Sequence, residues 1–189
     1  MKNLVVFFVL MIGSTLLLSA QRESTVFGKH GWRISGAWGG PAVGVGQLEN
    51  EPVVFRGGFG GIEFGKRLFL GWGGFETDND VYIDALDNNR FKMDYSGFML
   101  GYTPASHKTV HPNFMVLTGT GNAQVGNSEM DNVFVVQPTL GLELNVFRFF
   151  HLSLDGGYRM VTNVNIPDMT GRDLSGPYAE VKMKFGFSW

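Results

Sequence analysis

His151, Ser153 and Asp155 alternate along one short segment and are the residue types of a nucleophilic triad. On a strand they would share one face, with each step about 7 Å. A nucleophile and its base must lie within hydrogen-bond reach. A linear row of this kind does not meet that demand, so no catalytic residue is assigned. The other histidines are His30, His107 and His111. His107 and His111 are four apart, but Pro112 follows at once, which suits a turn and not a helix. No further ligands converge on them, so no metal site is assigned. Asp78, Asp80, Asp84 and Asp87 make one segment acidic. The calcium-loop pattern fails there, because Tyr82 takes a ligand position and the turn glycine is missing. The segment reads as a solvated loop, with weak divalent-cation binding as the alternative and a helical turn over 80–86 capped by Asp80. Glycines crowd 57–61 and 71–74, but no Gly-Lys-Ser/Thr follows and no strand-to-helix context exists for a phosphate loop. Small side chains there suit a narrow barrel closing around larger neighbours. No cofactor is implied.

Composition narrows the setting in which these residues work. The chain has 189 residues, enough for one domain, with 17% charged residues against roughly 25% in soluble proteins. Its 27 glycines are about twice the usual share, and 14% of residues are aromatic. Net charge is −2, so no basic footprint for nucleic acid is present. Cysteine is absent, which excludes disulfides, thiolate metal sites, cysteine nucleophiles and acylation at cysteine. The first 20 residues read as a secretory signal peptide. Lys2 precedes an apolar run from Leu4 to Ile12, and Ser19-Ala20 offers a cleavage site. Residues 21–30 then form a short N-terminal segment and 31–189 the folded domain.

The elements that must position these side chains are strands. In the last segment Ala179, Val181, Met183, Phe185, Phe187 and Trp189 alternate with Glu180, Lys182, Lys184, Gly186 and Ser188. Before it, Phe150, Leu152, Leu154, Tyr158 and Met160 oppose His151, Ser153, Asp155, Gly157 and Arg159. Earlier still, Val136, Leu140, Leu142, Leu144 and Val146 oppose Gln137, Thr139, Gly141, Glu143 and Asn145. The full set of expected strands is 31–46, 53–64, 68–76, 91–102, 112–121, 133–146, 149–161 and 177–189. Register is left open around the glycine clusters. Pro41 and Pro138 interrupt two strands and are expected at local bulges or kinks. Short turns alternate with long connections at 77–90, 122–132 and 162–176. Eight meandering antiparallel strands would close into a barrel, since closure removes the edges.

The apolar face is expected to point outward, toward lipid. The polar faces carry too few charges for a wall in water, where 25–35% is usual. Aromatics gather near strand ends, Trp32, Tyr102, Phe147, Phe150, Phe187 and Trp189 at one and Phe75, Phe91, Phe134 and Tyr178 at the other, as interfacial girdles would. The same facing sends Arg33, Lys92, Asp94, Glu143, Asp155, Arg159, Glu180, Lys182 and Lys184 into the interior. An eight-stranded barrel is just wide enough for side chains to fill, so these charges should pair into a plug and not line a diffusion channel.

The stretch Val181-Lys182-Met183-Lys184-Phe185-Gly186-Phe187-Ser188-Trp189 resembles the C-terminal signal of Gram-negative outer-membrane barrels. Lys184 departs from it where a glycine is often found. With the signal peptide and the strand count, the chain resembles the small eight-stranded barrels of the outer-membrane protein A and X type, within a Gly-rich uncharacterised subgroup. The resemblance implies an all-β, up-and-down transmembrane barrel with a filled interior, located in the outer membrane. Both termini and the short turns would face the periplasm and the long loops the outside. It implies that Met183, Phe185, Phe187 and Trp189 are read by the barrel-assembly machinery. It also implies contact with outer-membrane lipid and lipopolysaccharide, and a surface or envelope protein partner. The expected role is structural or surface-interactive. Two alternatives stay open: a lipid-modifying outer-membrane enzyme using His, Ser and an acid, and an exported soluble lipocalin-like barrel with an apolar ligand inside.

Overall fold

The structure, a computed structural model, describes residues 33–48, 51–78, 81–83, 89–126, 130–167 and 169–189. The expected signal peptide at 1–20, the segment 21–30, His30 and Trp32 lie outside them. None of the described residues is helical. The strands are β1 (Ile34–Leu48), β2 (Glu51–Phe64), β3 (Leu68–Thr77), β4 (Val81–Ile83), β5 (Asn89–Tyr102), β6 (Val110–Val125), β7 (Asp131–Phe147), β8 (Phe150–Thr162) and β9 (Gly176–Ser188). All pairings are antiparallel, in the order β3-β2-β1-β9-β8-β7-β6-β5-β4, and β3 pairs with β5 to close the ring. Eight strands therefore form a closed up-and-down barrel, and β4 is a short flap on the end of β5. Residues 81–83 thus extend as a strand where a helical turn was expected. Val81 and Ile83 are β-branched and flank Tyr82, a triplet that suits extended backbone.

Period-two patterning decides which side chains fill the barrel. Along β9, Tyr178, Glu180, Lys182 and Lys184 are buried, while Ala179, Val181, Met183 and Phe185 are exposed. β7 and β8 follow the same rule. The interior has two unlike halves. β2, β3 and β5 send in Phe55, Phe59, Phe69, Phe75, Phe91, Met93, Tyr95 and Met99, whereas β7, β8 and β9 send in charged and amide groups. Glycines make room for the rings. Gly61 pairs with Gly71, and a Cβ on either would come 2.7 Å from the Phe69 ring. The register through both glycine clusters is continuous, from Phe55–Thr77 to Phe64–Leu68.

Pro41 and Pro138 are not at bulges. Each sits mid-strand in unbroken register, pointing outward at a gap in one ladder. The β1–β9 ladder skips Gly40 and Pro41, and the β7–β8 ladder skips Gln137 and Pro138. The missing N–H of proline falls where no ladder bond is made. Among the described residues the exposed aromatics gather at the turn end, as Tyr102, Phe147, Phe149, Phe187 and Trp189. At the loop end Phe75, Phe91 and Tyr178 point inward and belong to the core, and Phe134 is the exposed exception. The 122–132 connection is mostly strand, since β6 runs to Val125 and β7 starts at Asp131.

Candidate functional site: the charged interior

Three polar clusters run along the barrel axis on the β6–β9 wall. The first lies near the turn end. His111 enters from the start of β6, Glu143 from β7, His151 from β8 and Lys184 from β9. Lys184 Nζ donates to Glu143 Oε2 at 2.6 Å, and His151 Nδ1 donates to Glu143 Oε1 at 2.7 Å. His111 Nε2 lies 3.7 Å from the same oxygen, while its Nδ1 donates to the Lys108 carbonyl at 3.0 Å. The His151 ring lies against Trp38, tilted by 35° at 4.2 Å between centroids, and Lys184 Nζ sits 5.8 Å from the Trp38 ring. Glu143 is therefore a hub with two donors in contact and a third close by.

The second cluster is in mid-barrel. Asn113 Nδ2 donates to Ser153 Oγ at 2.7 Å and to Asp155 Oδ1 at 2.8 Å, and Ser153 Oγ donates to Asp155 Oδ1 at 2.6 Å. Lys182 Nζ bridges Asp155 Oδ2 at 3.0 Å and Glu180 Oε1 at 2.7 Å. Gly141 makes this possible, because it pairs with Asp155 and a Cβ there would occupy the carboxylate's place. Ser153 and Asp155 thus do come into contact, against the expectation from strand spacing, because inward side chains lean along the wall. His151 is turned instead to Glu143. The three do not form a nucleophile–base–acid relay.

The third cluster is nearer the loops. Arg159 is 1% exposed, with Cζ 3.9 Å above the Phe55 ring and 5.9 Å from the Tyr95 ring. Its Nη2 donates to the Gln47 carbonyl at 3.4 Å. No carboxylate among the described residues forms an ion pair with it, so aromatic faces hold this cation. Tyr95 OH donates to Gln137 Oε1 at 2.7 Å, and Thr139 and Tyr178 share a hydroxyl–hydroxyl bond. Above Arg159 the barrel is capped by an apolar layer that includes Leu48, Val53, Phe91, Val133, Met169 and Leu174. Met169 and Leu174 come from the β8–β9 loop. A space of about 10 Å³ remains among Phe55, Tyr95, Arg159, Tyr178 and Glu180, enough for about one water.

Six of the nine charges expected inside are buried there: Glu143, Asp155, Arg159, Glu180, Lys182 and Lys184. They balance as three acids and three bases. The other three are exposed. Lys92 and Asp94 lie on the outer face of β5, in phase with Phe98, Leu100 and Tyr102, because Phe91, Met93 and Tyr95 take the interior positions. Arg33 precedes β1, and the register shift between Ile34 and Gly36 changes the facing there. His111, Asn113, Trp38 and Gln137 belong to the network but were not singled out for it. Their signal was phase, since each alternates with an outward apolar or small residue. No group of three or more His, Cys, Asp or Glu side chains is placed to hold a metal ion among the described residues.

The outer wall has its own polar features. Arg56 pairs with Glu76 at 2.9 Å and Asp78 at 2.7 Å, and Asn122 donates to Asp94 at 3.1 Å. Cross-strand pairing sets Arg56, Glu76, Asp94, Asn122 and Asn132 in one row around the wall. Below it, where Gly57 and Gly74 carry no side chains, a groove of about 640 Å³ opens beside Pro41, Val43 and Ser96.

No protein-family model matches the chain, and no curated protein matches its sequence. Solved structures do resemble it. Neisserial surface protein A is 13% identical, with a TM-score of 0.57 over 82% of this chain and 96% of that one. Ail, the attachment invasion locus protein of Yersinia pestis, solved with the heparin analogue sucrose octasulfate, is 16% identical. Its TM-score is 0.51 over 81% of this chain and 97% of that one. The chain has the closed eight-stranded antiparallel fold of the small Gram-negative outer-membrane β-barrels.

Proposed function

We propose that the protein is an integral outer-membrane barrel with a structural or surface-interaction role, exported through a cleaved signal peptide and folded by the barrel-assembly machinery. The observation that carries this reading is the outward apolar wall. On β7 the outward side chains from Phe134 through Val136, Leu140, Leu142 and Leu144 to Val146 are apolar without a break. Twelve steps of about 3.3 Å at a tilt of about 40° span roughly 30 Å, the thickness of a bilayer's hydrocarbon core. Such a wall in water would be an exposed patch far larger than soluble monomers carry. The soluble lipocalin-like alternative needs the opposite facing, and the paired charges occupy the interior it would use for a ligand.

The loops are the surface through which an interaction would run. Segments 49–51, 78–88, 126–131 and 163–175 hold ten acidic residues and one arginine. A polyanion such as the ligand seen on Ail is a poor match for that charge, and a cationic or cation-bridged partner suits it better. The test is cell fractionation followed by gel migration with and without boiling. A detergent-dependent outer-membrane band that shifts on heating is expected. A soluble periplasmic band with no shift overturns the reading. Removing Trp189 should lower the amount of heat-shifted protein in the membrane at equal synthesis, and unchanged assembly would remove Met183, Phe185, Phe187 and Trp189 as the assembly signal.

A further inference from the structure

The turn end of the barrel carries five exposed cations. Lys66 and Arg67 occupy the β2–β3 turn, Lys108 the β5–β6 turn, Arg148 the β7–β8 turn, and Arg33 lies beside the β2–β3 turn. All five side chains are exposed. The three turns contain no acidic residue, and no described carboxylate forms an ion pair with any of the five. Their backbones are tied to one another. Gly65 N donates to the Arg33 carbonyl at 3.0 Å and Thr103 N to the Arg67 carbonyl at 2.7 Å, while Ser106 Oγ bonds the Lys66 carbonyl at 2.5 Å. The backbone positions of Arg33, Lys66 and Arg67 are therefore held together at the rim, and the Lys108 carbonyl accepts from Asn145 Nδ2 at 3.0 Å beside them.

The position of these cations identifies what they meet. Arg148 stands between Phe147 and Phe149, whose exposed rings stack on each other at 5.6 Å. Arg67 is followed directly by Leu68, the first residue of the outward apolar row of β3, and Tyr102 and Phe187 are exposed at the same end. Aromatic side chains of this kind sit at the headgroup level of a bilayer. A cation one residue beyond them lies at the plane of the lipid phosphates, not out in the aqueous space where a free protein partner would dock.

We propose that Arg33, Lys66, Arg67, Lys108 and Arg148 form a binding collar for anionic phospholipid headgroups in the leaflet at the turn end. This rests on the reading of the apolar wall as membrane-embedded. Each basic side chain near an anionic surface favours association several-fold, and the attraction is screened within a Debye length. The collar gives the barrel a preferred boundary lipid. It also fixes the depth of the rim.

The test uses the full chain without its first 20 residues, refolded into vesicles of phosphatidylcholine and phosphatidylglycerol at 4:1. Trace spin-labelled phosphatidylglycerol or phosphatidylcholine reports which lipid is held at the protein boundary. Wild type should select phosphatidylglycerol about fivefold at low salt and lose that preference at 1 M salt. The variant Arg67→Gln/Lys108→Gln/Arg148→Gln changes only exposed turn side chains. It should refold with the same heat-shifted band and show a preference clearly below that of wild type, since only Arg33 and Lys66 remain. Equal binding of the two lipids by heat-shifted wild type overturns the collar while leaving the membrane reading intact. A preference undiminished in the triple variant also overturns it. Wild type that never inserts overturns both.

Discussion

Glu143 shows what a single interior side chain is asked to do. It is 3% exposed and meets Lys184 and His151 at 2.6 and 2.7 Å. Removing one partner of such a pair leaves a buried charge uncompensated, which costs more than the pair contributes when whole. Glu143→Leu should therefore destabilise the barrel by about 3 kcal/mol in urea unfolding from lipid vesicles. Glu143→Leu/Lys184→Met should recover most of that loss, and a double variant no better than the single one would show that the pair is not the source. Arg56→Gln on the outer wall should leave the same curve unchanged, because that triad is open to solvent. Facing was readable from sequence wherever the outward face is apolar along the whole strand, as on β7 to β9. It misled at Lys92 and Asp94, because β5 sends apolar residues inward and outlasts the apolar belt outward. A polar residue there marks height along the wall, not the inner face.

At the scale of elements, the β8–β9 loop does more than connect. It returns into the mouth, where Leu174 is fully buried and Val161 N donates to Ser175 Oγ at 2.8 Å. Thr170 N and Oγ1 both donate to Asp173 Oδ2, at 2.6 and 2.8 Å, which pins the turn that carries Leu174. Leu174→Asp would set an unpaired carboxylate among Leu48, Val53 and Phe91. It should lower the temperature at which the heat-shifted band is lost and speed amide exchange in the upper turns of β1 and β2. Unchanged exchange would mean that the loop rests on the mouth without sealing it. The sequence displayed all eight barrel strands, because alternation and tight turns are local signals. It did not display the cap. Met169 and Leu174 lie in a segment rich in Asn, Asp and Gly, and their burial is decided by a mouth built from distant strands. The proline gaps were hidden for a related reason, since whether a missing N–H matters depends on the neighbour across the ladder.

The barrel unit, Arg33–Trp189, is a filled cylinder with an aromatic half and a charged half inside and an apolar belt outside. In planar bilayers it should pass no steady porin-like current. The interior void near Arg159 has a volume of about 10 Å³, and the mouth above it is closed by apolar side chains. Sustained open-channel steps from purified protein would require the Lys182 and Lys184 pairs to separate in the folded state. Gel migration at rising temperature, read beside the current, distinguishes a conducting native barrel from a partly opened one.

The division of the interior into an aromatic half and a charged half has a consequence for how the protein enters a membrane. Hairpins drawn from β2, β3 and β5 present apolar groups on both faces along much of their length, so they can partition into lipid before the ring is complete. β8 and β9 cannot do so. Asp155, Glu180, Lys182 and Lys184 would each meet hydrocarbon alone unless β7, β8 and β9 travel together with these ions already matched. Time-resolved insertion should therefore find the β2–β5 side dehydrated first and the β7–β9 side last, arriving as one neutral sheet. The seam that shuts behind it is β1–β9, where the ladder gap at Pro41 leaves fewer bonds to form in the closing step.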